Sequence, residues 1–85
     1  MTYTVILSPD ARRQFLKLPR ALQERLQPRI DALADNPRPP GVKKLKGYRD
    51  YWRIRVGDYR IIYTIQDDRL IVTVLRIGNR RDVYD

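Results

Sequence analysis

The sequence predicts an α+β fold, with two N-terminal helices packed on one face of a three- to four-stranded, mainly antiparallel sheet. Three observations carry this. Apolar residues recur at helical spacing up to about residue 36 and at strand spacing from Val42 onward. A serine and several prolines punctuate the first half where helices start and stop. The apolar runs of the second half are joined by connections too short for anything but hairpins.

The β-branched stretch from Tyr3 to Leu7 reads as a first strand. Ser8-Pro9-Asp10 is a helix start: serine caps, proline suits the first helical position, and the acid meets the positive end of the dipole. Ala11, Phe15 and Leu18 then fall on one face of a short helix. Pro19 restarts the chain into a longer helix whose apolar face is Leu22, Leu26, Ile30 and Leu33. Pro28 inside it predicts a kink or two abutting helices, because proline lacks an N–H and crowds the preceding turn. Asn36-Pro37 closes the helical half, and Pro39-Pro40-Gly41 is a stiff connection. Tyr51 to Val56, Tyr59 to Ile65 and Leu70 to Ile77 are strands of an antiparallel meander, joined by Gly57-Asp58 and by Gln66 to Arg69. Lys43 to Lys46 is placed for a further short edge strand, and Gly78 for a turn that folds the tail back over the sheet.

A chain of 85 residues is read as one domain over 1–85, without repeats or linkers. A domain of this size buries only about 60–65% of the surface exposed by its unfolded form, so a modest stability margin is expected. It has no cysteine and no histidine, which excludes disulfides, thiolate chemistry and the usual zinc sites. No segment has the pattern of a targeting peptide or the ~20 apolar residues of a membrane span, so a cytoplasmic chain without a membrane partner is expected. Eighteen Lys and Arg against ten Asp and Glu leave a net charge of +8. Between Lys43 and Arg60 lie seven bases (Lys43, Lys44, Lys46, Arg49, Arg53, Arg55, Arg60) and two acids. A field of one sign over so short a stretch attracts polyanions.

Strand alternation sorts this charge onto a face. Trp52, Ile54 and Val56 should lie against the helices, and Tyr51, Arg53 and Arg55 on the other side. Arg60, just past the tight turn, joins them from the neighbouring strand. Antiparallel sheets often carry one solvated polar face, so arginine alone says little. Arginines beside Tyr51, Tyr63 and Tyr84 say more, since aromatic rings stack bases while guanidinium groups hold phosphate.

The available chemistry is narrow. Without histidine, the ordinary neutral-pH proton carrier is missing. Arginine keeps its proton and serves best as a charge clamp. Asp31 with Asp35 reads as a solvated helix face, and Asp67-Asp68 as turn residues, so no metal site and no cofactor are expected. RNA can be cut without metal if its own 2′-hydroxyl attacks the adjacent phosphate.

Lys43-Lys44-Leu45-Lys46-Gly47, the run from Tyr51 to Tyr63, and Arg76-Ile77-Gly78-Asn79-Arg80-Arg81-Asp82-Val83-Tyr84 together resemble the RelE branch of the RelE/ParE toxins. The resemblance implies the RelE-like fold and a type II toxin that cleaves mRNA in the ribosomal A site. It also implies a cognate antitoxin, and hence a hetero-oligomer. By position it gives catalytic parts to Arg53, Arg55, Arg60, Arg80 and Tyr84, and RNA or ribosome binding to Lys43, Lys44, Lys46, Arg49 and Arg81. Arg53 and Arg55 stand where relatives often have lysine, and Asn79 where many have histidine. Both changes favour electrostatic stabilisation by arginine, with Tyr84 as the proton carrier. Two rival readings are a ParE-like protein that poisons DNA gyrase without cutting RNA, and a non-catalytic basic nucleic-acid-binding module. The latter lacks a recognisable helix-turn-helix.

Overall fold

Ser8 opens the first helix in the computed structural model, which describes residues 2–45 and 50–79. Its backbone is extended, and its hydroxyl accepts from the Ala11 N–H at 3.1 Å and donates to the Leu75 carbonyl at 3.1 Å. One residue therefore caps α1 (Pro9–Leu16) and ties it to the last strand. Ala11 is fully buried, and Phe15 and Leu18 pack beside it, as their spacing predicts. Gln23 of α2 (Arg20–Asp31) donates to the Leu18 carbonyl at 2.9 Å, fastening the turn between the helices. Leu26, Ile30 and Leu33 are buried, while Leu22 is half-buried. Helix α2 runs through Pro28 to Asp31, so of the two expected alternatives, a kink or two abutting helices, the second does not form there. The helix tightens into a 3₁₀ turn only at Ala32–Ala34.

Five strands follow one sheet order, β1-β5-β4-β3-β2. They are β1 (Thr4–Leu7), β2 (Lys43–Lys44), β3 (Tyr51–Val56), β4 (Tyr59–Gln66) and β5 (Ile71–Asn79). The count exceeds the expected three or four because both the first strand and the short lysine strand join the sheet. Strands β2 to β5 are antiparallel neighbours in the expected meander, and β1 pairs with β5 in parallel. Gly57 begins the two-residue β3–β4 turn at φ +62°, while Asp58 keeps a negative φ. That is the hairpin pattern with glycine at the first central position. Gly78 sits inside β5 opposite Arg60 rather than in the expected turn.

The main core lies between the helices and the sheet. It joins Ala11, Leu26, Ile30 and Leu33 to Ile54, Val56, Ile61, Tyr63, Ile65, Val72, Val74 and Ile77. Tyr63 is fully buried and donates its hydroxyl to the Pro37 carbonyl at 2.6 Å, with burial holding its pKa far above the ordinary phenol value. A small second cluster, Leu45 and Ile62 with Tyr51 against it, sits on the opposite side of the sheet. The helix-free face is therefore partly apolar.

Candidate functional site

The β3–β4 hairpin delivers the arginines. Its register sets Arg53 opposite Ile62 and Arg55 opposite Arg60, one rung before the turn. Ile54 and Val56 face the core, so Arg53 and Arg55 face away from the helices. Directly opposed like charges on a sheet repel, with Cβ atoms about 4.5–5.5 Å apart. Arg53 adds a third cation two residues along, and only 5% of its surface is exposed. Its guanidinium pKa is lowered, first by burial and then by the positive charge of Arg55. The register thus gathers positive charge on one part of the face, a setting suited to an anion.

Of the sequence-predicted residues, Lys43, Arg53, Arg55 and Arg60 come together on this face, with Lys43 opposite Arg53 across the β2–β3 ladder. Lys44 does not join them. It pairs with Trp52, lies 5.7 Å from the centre of that ring, and reaches Asp50 at 3.7 Å. Alternation along β2 sends neighbouring lysines to opposite faces, which the sequence shows only once the register with β3 is known. Trp52 also holds the Arg38 guanidinium 5.0 Å from its ring centre. Tyr51 remains on the arginine face, but Tyr63 belongs to the core on the other side, so it cannot stack a base. Lys46, Arg49, Arg80, Arg81 and Tyr84 lie outside the described residues.

A hollow of about 390 Å³ is lined by Ser8, Asp10, Leu45, Tyr51, Ile62, Leu75 and Arg76. Sequence reasoning assigned no role to Arg76. Val72 and Val74 are core residues, and unbroken alternation would carry Arg76 inward with them. The β4–β5 ladder slips between Ile62 and Tyr63, and Arg76 instead stands opposite Ile62. The available signal was the phase change from Val72 and Val74 to buried Ile77.

The comparisons agree with this architecture. A chain in the crystal structure of the archaeal RelE–RelB complex from Pyrococcus horikoshii OT3 superposes with a TM-score of 0.82 at 31% identity, covering 98% of this chain and 100% of that one. A chain in the RelBE2 toxin–antitoxin complex of Mycobacterium tuberculosis gives 0.81 at 29% identity, over 94% of this chain and 100% of that one. A putative RelE-like toxin protein of Escherichia coli is 34% identical over 100% of this chain and 93% of its own. The mRNA interferase toxin RelE of E. coli K12 is 27% identical over 99% of this chain and 92% of its own. These define the class as the toxin half of a type II toxin–antitoxin pair. The family model for the ParE toxin of the type II parDE system matches residues 5–84. The chain belongs to the RelE/ParE superfamily and is a RelE-like toxin.

Proposed function

We propose that this toxin is a ribosome-dependent, metal-independent endoribonuclease that cleaves mRNA in the A site. The opposed Arg55–Arg60 pair, with Arg53 beside it on one sheet face, carries the reading. In the reaction the 2′-oxygen forms a bond to phosphorus as it loses its proton, and the bond from phosphorus to the 5′-oxygen breaks. The products are a 2′,3′-cyclic phosphate and a 5′-hydroxyl, the leaving oxygen having taken up a proton. Arg55 and Arg60 stabilise the charge that builds on the non-bridging oxygens, and Tyr84 is the proton carrier. Lys43, Lys46, Arg49 and Arg81 hold RNA or ribosome, and Arg80 completes the phosphate clamp. Lys44, on the Trp52 side, touches ribosome rather than the codon. The cognate antitoxin lays an acidic, amphipathic segment over this face, its apolar side chains entering the hollow beside Leu45 and Ile62.

The test is induction followed by mapping of new RNA 5′ ends. New ends inside translated messages, absent from the same messages without a start codon, are the expected result. A second reading, a gyrase poison, draws on the ParE family match. It predicts no new RNA ends and inhibited supercoiling by purified gyrase.

A further inference from the structure

Arg76 reaches the basic face through a break in the regularity of β5. With Ile62 opposite Arg76 and Tyr63 opposite Val74, Leu75 is the residue the ladder passes over. Bulges of this kind re-aim side chains. Ile77 takes the inward place at 2% exposure, and Arg76 turns out to solvent. Helix α1 holds both sides of the irregularity: Ser8 donates to the Leu75 carbonyl at 3.1 Å, and the Gln14 side-chain oxygen accepts from the Ile77 N–H at 2.7 Å. Read across β2, β3, β4 and β5, one row of the helix-free face is Lys43, Arg53, Ile62 and Arg76. Arg76 stands two strands from Arg53, about 10 Å, and diagonal to Arg60, about 7–8 Å between backbones.

We propose that Arg76 is a further RNA-backbone contact, a guanidinium turned by the bulge to hold the phosphodiester next to the one clamped by Arg55 and Arg60. This rests on the reading of the face as an RNA-cleaving surface. In this assignment it is a binding group, with the charge on the reacting phosphate left to Arg55 and Arg60.

Salt dependence tests it without requiring cleavage. The probe is a short single-stranded 2′-O-methyl RNA, which cannot be cut, and affinity is measured over a range of ionic strength. Each phosphate contact to a single strand contributes about 0.7 to the slope of log affinity against log salt. Arg76→Ala should flatten the slope by about that amount, while Arg76→Lys keeps it. Arg29→Ala, which removes an equal charge from α2, should leave it unchanged. Melting temperatures confirm that every variant is folded, and Arg76→Gln replaces the alanine variant if that one is not. A wild-type slope in Arg76→Ala or Arg76→Gln, or an equal flattening in Arg29→Ala, overturns the assignment while leaving the RNA surface standing. A salt-independent wild type defeats both, and loss of antitoxin affinity alone assigns Arg76 to the antitoxin instead.

Discussion

The hairpin register sets the backbones of Arg55 and Arg60 directly opposite each other, close to a two-residue turn. On the proposed reading, two cations brought to one rung by the fold act where charge builds on the phosphate. Arg60→Ala should therefore lower the single-turnover cleavage rate on saturating programmed ribosomes by about 10²–10³-fold, with little change in ribosome affinity. The neighbouring lysines divide by face. Lys43→Ala should weaken binding of RNA to the isolated toxin, whereas Lys44→Ala should leave it near wild type, because Lys44 lies against Trp52. Titration with the uncleavable RNA reads both, and an equal loss in the two variants would contradict the face assignment. Alternation made Arg53 and Arg55 legible in sequence as one face. It could not show that Arg53 is nearly covered, since that depends on what the adjacent strands bring beside it.

At the scale of elements, caps and turns were legible and long-range register was not. As a cap and a turn, Ser8-Pro9 and Gly57-Asp58 act through neighbours within four residues, and the sequence displays that chemistry, though not the Ser8 bond to Leu75. The bulge at Leu75 depends on a partner strand and on α1, and neither is visible along β5 itself. Past Leu7, β1 no longer covers the edge of β5, and α1 side chains take its place. Gln14→Leu removes the acceptor for a partly buried N–H and should cost about 1–3 kcal/mol in chemical denaturation. Gln14→Glu keeps an oxygen acceptor and should recover most of it. Faster amide exchange at Ile77 in the leucine variant alone would locate the loss at this edge.

Across the whole molecule, Asp67 gathers three distant segments. Arg38 donates to both of its carboxylate oxygens at 2.9 and 3.2 Å, and the Tyr3 hydroxyl donates at 2.5 Å. The Arg38 and Tyr3 hydrogen bonds hold the Asp67 pKa down to about 2. A carboxylate with a depressed folded pKa stabilises above its unfolded value, about 3.9, and that contribution disappears as pH falls toward the folded value. Thermal melts should show stability falling between about pH 4 and pH 2, and Asp67→Asn should flatten that part of the profile. The group is exposed, so added salt should shrink the difference. The pairing joins the N-terminal strand, the connection after the helices and the β4–β5 turn, three places with no shared sequence pattern.

Strand β5 lies between β1 and β4, although it is made last among the described strands. Among the described residues strand β1 pairs only with β5, so its first rung, Thr4 to Ile71, waits until nearly the whole described chain has been synthesised. Closing so long a loop is slow, and the core that covers Ala11, Val72 and Val74 cannot assemble in stages. The arginine hairpin is complete earlier and offers Ile54, Val56, Ile61 and Tyr63 to α2, but α1 lacks the strand it packs against until β5 arrives. A chain ordered this way completes its core only after translation has passed the last of its described strands. Until then the arginine hairpin stands on a chain whose core is still open.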